Sequence, residues 1–223
     1  LARRRPAAVA VVVALALLRP LHAATVSSDW GDEAYQRRAA EFLEFMRLDL
    51  RAKAPAPGPH TRFWFVDVPS SVGFLQGDGP ALRVWYGDPT LGGGLFAKYR
   101  ARAAGAPAGP DRFFRFDSTA GWIEIPAGRG GRAARADERW RVDHERLAIA
   151  LARGEDWPRA AEEFAALARA FPDSANYVYY AGLAALAAGD SAGARAWMER
   201  AGRLPTADEE IRAAARRFGA GER

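Results

Sequence analysis

Residues 156–205 read DWPRAAEEFAALARAFPDSANYVYYAGLAALAAGDSAGARAWMERAGRLP, and this stretch aligns with itself at a shift of 34 residues. In the first copy Asp156-Trp157 is followed by Ala160, Phe164, Leu167 and Pro172. In the second, Asp190-Ser191 is followed by Ala194, Met198, Ala201 and, one position early, Pro205. Small and apolar residues spaced by three and four positions mark one face of a helix. A proline cannot continue a helix, so each copy ends in a break. The pattern predicts helices over 137–153, 158–171, 176–188, 192–204 and 207–218, paired by short turns.

The period and the placement of small residues resemble the tetratricopeptide (TPR) repeat. In that register the packing positions are Leu147, Ala148, Leu151, Ala160 and Phe164, then Ala181, Gly182, Ala185, Ala194 and Met198. The resemblance implies a binding scaffold rather than a catalyst. It also implies an inner, partner-binding face, which carries over to Glu145, Ile149, Arg153, Asn176, Tyr179, Leu183 and Leu186. The apolar character of that face points to a protein or peptide partner; the alternative is that the last helix buries it. Two repeats and a capping helix fall short of the ~3 repeats such arrays need. The first helix is therefore expected to lean on the region before it.

That region, residues 28–126, reads as a small α/β domain, and residues 127–136 (Gly128-Arg129-Gly130-Gly131-Arg132 among them) as a linker. Ser28 or Asp29 can cap a helix running to about Arg51, whose apolar face holds Tyr35, Ala39, Phe42, Leu43, Met46 and Leu50. Arg62-Phe63-Trp64-Phe65-Val66-Asp67-Val68 reads as a buried strand closed by Pro69. Asp78-Gly79-Pro80 reads as a helix start, with Asp78 as its cap and Pro80 near the first helical position. Residues 112–116 and 122–125 read as two strands of a hairpin turned by Asp117-Ser118-Thr119-Ala120-Gly121. The fold class expected is α+β: an N-terminal membrane helix, a domain of three or four strands, and C-terminal helical hairpins.

The chemistry-bearing residues are sparse. Asp67 at a strand end, with Asp78 and Asp88 nearby, could form a carboxylate cluster. The plainer reading makes Asp78 a helix cap and Asp88 a turn residue before Pro89. Gly92-Gly93-Gly94 lacks the Lys-Ser/Thr of a phosphate loop and reads as a loose turn. His22, His60 and His144 have no ligand at metal spacing, and Ser70-Ser71 lacks a nucleophile-elbow pattern. The aromatic residues Trp64, Trp85, Trp122, Phe63, Phe65, Phe113, Phe114 and Phe116 could form a sugar- or membrane-binding platform, but in alternating strands they read as core. No catalytic, cofactor or metal residue is assigned, and the chain is expected not to be catalytic by itself.

At the start, Arg3-Arg4-Arg5 precedes an apolar run from Pro6 to Leu18, followed by Arg19 and Pro20. A signal peptide fits the short apolar run. A transmembrane helix needs ~20 residues and is reached only by continuing to about Val26, with Arg19 reaching toward the interface. The first residue is Leu1 rather than Met, which favours the second reading: a last membrane helix of a longer protein. Either way the arginine cluster stays inside and everything after residue 26 lies outside.

The chain of 223 residues has 22 glycines, 14 prolines and no cysteine, which excludes disulfides, thiolate catalysis and cysteine-zinc sites. Its net charge of +5 rests almost wholly on arginine, since Lys53 and Lys98 are the only lysines. No compact basic stripe interleaved with aromatics appears, so no nucleic-acid partner is expected. The membrane segment, the helix after it, "FVDVP" and "GFLQGDGPALRVWYGDPT" weakly resemble the exported C-terminal tail of bacterial GT-C-like membrane glycosyltransferases. The acidic catalytic loop of that class has no counterpart here. The function expected is a membrane-anchored periplasmic interaction or assembly module of a bacterial inner membrane; the alternative is the accessory tail of a polyprenol-phosphate-sugar-dependent glycosyltransferase.

Overall fold

The computed structural model describes residues 18, 33–69, 78–127 and 137–219. The expected membrane segment of 6–26 (apart from Leu18), the capping residues Ser28 and Asp29, Ser70-Ser71, and 128–136 of the linker lie outside the described residues. Among the described residues no helix is long and apolar enough to cross a membrane. The chain divides into two compact units, residues 1–46 and 47–223. Helix α1 spans Glu33–Lys53. In its first half Arg37 pairs with Glu33 one turn away, at 2.8 Å, and the Phe42 and Phe45 rings stack.

The second unit is mixed α and β. Strand β1 (Arg62–Val66) leads to helix α2 (Pro80–Tyr86), strand β2 (Gly92–Leu95), a 3₁₀ turn (Phe96–Lys98) and the hairpin β3 (Asp111–Asp117) and β4 (Gly121–Ile125). The four-stranded sheet has the order β2-β1-β3-β4, with β1 parallel to both neighbours and β4 antiparallel to β3. Three details differ from the expectations above. Strand β1 stops at Val66 because Asp67 turns to a positive φ of 58°. Gly79, not Asp78, occupies the N-cap of α2, and no side chain caps that helix; Pro80 does sit in its first turn.

The third difference is larger: Gly92-Gly93-Gly94 is not a turn but most of strand β2. A Cβ at Gly93 would overlap the Phe63 carbonyl oxygen. At Gly93 the strand therefore lies against β1 only because it lacks a side chain there, and glycine's usual role as a breaker is overridden by the close approach.

Alternation along the strands sorts the aromatic residues onto two buried faces. Phe63, Phe65, Phe114 and Trp122 fall on one face, where the Phe65 and Trp122 rings are 4.7 Å apart. The end of α1 closes on this side: Asp49 Oδ2 accepts the Trp122 amide at 2.6 Å and Lys53 Nζ donates to the Ala120 carbonyl at 2.8 Å. Trp64 and Phe113 point the other way, into a core shared with the helices that follow. The strand aromatics Phe63, Trp64, Phe65, Phe113, Phe114, Phe116 and Trp122 are core residues, as their alternation implies, whereas Trp85, on α2, is half-buried.

Those helices are α3 (Glu138–Arg153), α4 (Trp157–Ala170), α5 (Ala175–Ala187), α6 (Ser191–Arg203) and α7 (Glu209–Gly219). Each packs on the next in sequence. The starts of α4 and α6, and of α5 and α7, are 34 residues apart. The hydrogen bonds repeat with the same period: the Asp156 amide donates to Leu151 O, and the Asp190 amide to Ala185 O, both at 2.9 Å. The Val178 amide donates to Ser174 O at 3.2 Å and the Arg212 amide to Asp208 O at 3.1 Å. Leu147, Ala148, Leu151, Ala160, Phe164, Ala181, Gly182, Ala185, Ala194 and Met198 are all buried. A Cβ added to Gly182 would come within 3.2 Å of Met198, so the small residue sets the spacing of α5 and α6.

Candidate functional site

The seven residues of the expected inner face lie on α3 and α5. Ile149 and Leu183, 34 residues apart, are 37% and 38% exposed, so the repeat gives them equivalent environments. Leu186 is 41% exposed, and Arg153 and Asn176 are exposed. Glu145 is already engaged: it accepts from Arg141 Nη1 at 2.8 Å and from the Tyr177 hydroxyl at 3.0 Å. The Tyr177 bond also joins α3 to α5. Tyr179 is only partly exposed. Burial raises its hydroxyl pKa, Glu210 of α7 adds to the rise and Arg217 of α7 opposes it. The last helix thus lies beside Tyr179 without covering Leu183 or Leu186.

One apolar member of this surface was missed. Tyr180 is 45% exposed, with its ring 5.5 Å from Phe164 and 5.9 Å from Tyr179. The signal was available: α5 (ANYVYYAGLAALA) has no charged residue at all. A helix apolar on every side is expected to be buried. This one is buried on Val178, Ala181, Gly182 and Ala185 and open on Tyr180, Leu183 and Leu186.

A second constellation, not foreseen, sits where the sheet meets the helices. Asp111, at the start of β3, accepts from Arg62 Nε at 2.6 Å and Nη2 at 2.8 Å, and from Arg159 Nη1 at 3.0 Å. The Tyr99 hydroxyl donates to Asp156 Oδ2 at 2.6 Å and lies 3.3 Å from Asp111 Oδ2. Burial raises the Asp111 carboxyl pKa, but the hydrogen bonds and charge of Arg62 outweigh it and hold the group below the ordinary carboxylate range. Burial and the bond to Asp156 together push the Tyr99 hydroxyl well above its ordinary value. Beside the cluster is an open cavity of about 390 Å³, lined in part by Asp111, Arg112, Glu124 and Arg159. Arg112 and Glu124 close on each other with bonds of 2.8 and 2.7 Å. Asp111, Arg112, Glu124 and Arg159 are all paired, and the Asp111–Arg159 bond fastens β3 to α4.

Between α3 and α4, His144 Nδ1 lies 2.7 Å from Glu163 Oε2, both residues buried, and Trp140 stacks on the imidazole at 4.2 Å. Asp143 accepts from the buried Arg115 at 2.8 Å, and burial raises the Asp143 pKa although Arg115 opposes it. His144 and Glu163 tie α3 to α4; Arg115 and Asp143 tie β3 to α3.

The remaining candidates are dispersed. Asp67 takes both its bonds, at 2.8 and 2.6 Å, from Arg146 of α3. Asp88 Oδ1 accepts from the amide and hydroxyl of Thr90, which makes it the expected turn residue and holds its pKa down. The Asp78 carbonyl accepts from Arg83 at 3.1 Å. The His60 amide donates to the Thr90 hydroxyl at 2.9 Å. Among the described residues no group of three or more acidic or histidine side chains could hold a metal ion. His22 lies outside the described residues. Comparison with protein-family models, with curated proteins and with solved structures returns no match for this chain.

Proposed function

We propose that this chain is an interaction module whose 34-residue hairpins are tetratricopeptide-like, tethered to a bacterial inner membrane through residues 6–26 and working on the periplasmic side. The observation that carries the reading is helix α5. It has no charged residue, and it leaves Tyr180, Leu183 and Leu186 open to solvent in line with Ile149 of α3. A contiguous apolar surface of this kind, rimmed by polar residues, marks an interaction site. The partner is a protein or peptide with apolar anchors. The committed charges of the sheet cluster, each already paired, favour binding over catalysis.

The test is cross-linking of the full chain in its native envelope, with a Leu183→Ser, Leu186→Ser variant beside the wild type. The variant should fold with an unchanged melting curve and lose its cross-linked partner. An unchanged partner set would discard this face as the interface. Loss of folding would show that the two leucines are simply core.

A further inference from the structure

Two arginines line the open cavity of about 390 Å³ beside Asp111, and each is already held in place. Arg159 Nη1 donates to Asp111 at 3.0 Å, to the Tyr99 hydroxyl at 3.2 Å and to Asp156 at 3.4 Å, and its guanidinium lies 5.1 Å over the Phe113 ring. Arg112 gives Nε and Nη2 to Glu124 and lies 5.3 Å over the Phe114 ring. A guanidinium donates from all of its nitrogens. Nε and Nη2 of Arg159 and Nη1 of Arg112 therefore keep donors that bond to nothing among the described residues. Among those residues the buried side-chain polar atoms without a partner are the Tyr86 hydroxyl and Arg102 Nε, so the spare donors of Arg159 and Arg112 are open rather than sealed in.

The acceptors facing the cavity, by contrast, are taken. Both Glu124 oxygens accept from Arg112, and both Asp111 oxygens accept from Arg62. Charge is unequal as well. Arg62, Arg102 and Arg159 pair with Asp111, and Asp156 is the second carboxylate of the cluster, so guanidiniums outnumber carboxylates there. Arg159 stands in the first turn of α4, where the positive end of the helix dipole adds to the field. Ile125, Pro126 and Ala127 give the same cavity an apolar side.

We infer that this cavity binds a small organic acid, whose oxyanion (carboxylate or phosphate) takes the spare donors of Arg159 and Arg112 and whose apolar body rests on Pro126 and Ala127. Charge-assisted bonds from a guanidinium to an oxyanion are among the strong ones. The volume falls in the range of ligand pockets, roughly 300–1,000 Å³. Arginines already fixed by carboxylates and rings lose little freedom when a ligand arrives, so more of each bond appears as affinity. The site uses none of the residues of the α5 surface, and it stands or falls independently of that interface.

Benzoate, phenyl phosphate and uncharged benzamide share one ring and differ in the group offered to the arginines. Each is titrated calorimetrically into the full chain in detergent. At least one acid should bind about tenfold tighter than benzamide, the span of a hydrogen bond to a charged group. The tighter acid tells a carboxylate ligand from a phosphate ester, and equal binding of both means that the site reads the oxyanion alone. Arg112→Gln leaves the Asp111 cluster intact and should weaken the acid by about 3–10-fold. A measurement on the wild type covers a failure of that variant to fold: the bound acid should slow phenylglyoxal modification of Arg112 and Arg159, read peptide by peptide by mass spectrometry. Benzamide binding as tightly as the acids, or no binding of either acid, would overturn the inference. So would acid binding that Arg112→Gln leaves unchanged, or that leaves both arginines unprotected.

Discussion

The Tyr99 hydroxyl donates to Asp156 at 2.6 Å, and Asp156 is the 34-residue counterpart of Asp190. Asp190 does what the residue before a helix usually does: its side chain accepts the Gly193 amide of the first turn. Asp156 makes no such cap. Its carboxylate has been drawn to the sheet instead. Gly154 shares the change, since a Cβ there would strike the Tyr99 ring and the glycine carbonyl accepts the Ala101 amide at 2.7 Å; its counterpart Ala188 is exposed. One turn of the repeat has thus been converted from a free turn into a docking point.

Tyr99→Phe should therefore destabilise the chain by about 1–2 kcal/mol, because it strips a partly buried carboxylate of its shortest hydrogen bond. The urea midpoint should fall with no change in slope. A shift equivalent to less than ~0.5 kcal/mol, the size of an ordinary surface change, would show that Arg159 alone holds Asp156 in place.

The two buried carboxylates at the sheet titrate in opposite senses. Asp111 has a folded pKa below its unfolded value of ~3.9, so its contribution is full above that pH and is lost as pH falls through the folded value. Asp143 has a folded pKa above its unfolded value, so it takes up a proton more readily when folded, and acid relieves its burial penalty. Asp111→Asn should flatten the loss of stability below about pH 4, and Asp143→Asn should steepen it. Urea midpoints measured across a pH series check both; slopes that change in the same direction would refute the assignment.

The helix pairs were legible because the 34-residue period repeats both the packing residues and the turns, and each copy supports the other. Ala160 and Ala194, or Phe164 and Met198, mark the same buried positions without any knowledge of the sheet. The sheet was half legible. Its aromatic alternation announces β1 and β3, whereas Gly92–Gly94 carries no strand signal, and the reason for a glycine at 93 lies in the Phe63 backbone nearby. The Asp111 cluster gathers residues from 62 to 159, and no local pattern brings them together. His144 and Glu163 could have been paired from helical geometry. Each lies on the buried face of its helix, three residues from Leu147 and from Ala160, and a buried polar side chain there needs a partner.

The repeat register can be tested away from the sheet. Ala194 is fully buried and Arg195 is exposed. Ala194→Leu should overpack α5 against α6 and cost about 1–3 kcal/mol. Arg195→Ala should cost less than ~0.5 kcal/mol. Equal effects in urea melts would mean that the 34-residue alignment assigns the wrong face.

The proposed topology has a direct check. With Arg3–Arg5 retained inside, an alkaline phosphatase fused after Arg223 should be active and a green fluorescent protein fused there should be dark. The reverse pattern would place the helical array in the cytoplasm and remove the periplasmic part of the proposal.

Glu155 offers a prediction in the stabilising direction. It occupies the turn position of Gly189 and has the same left-handed backbone, with φ of 63° against 89°. The amide bonds agree as well: Glu155 donates to Ala152 O at 3.1 Å and Gly189 to Leu186 O at 3.0 Å. For a residue with a Cβ this conformation costs roughly 1–2 kcal/mol. Glycine removes that strain but adds about 0.4–1 kcal/mol of unfolded-state entropy. Glu155 is exposed and its side chain makes no bond that glycine would lose among the described residues. Glu155→Gly should therefore stabilise the chain, by about 0.5–1 kcal/mol, while Gly189→Ala should destabilise it by about as much. Thermal melts of the two variants decide the matter. If Glu155→Gly lowers the midpoint, the turn is not the relaxed counterpart of its repeat, and the docking of Gly154 and Asp156 on Tyr99 must itself hold Glu155 in place.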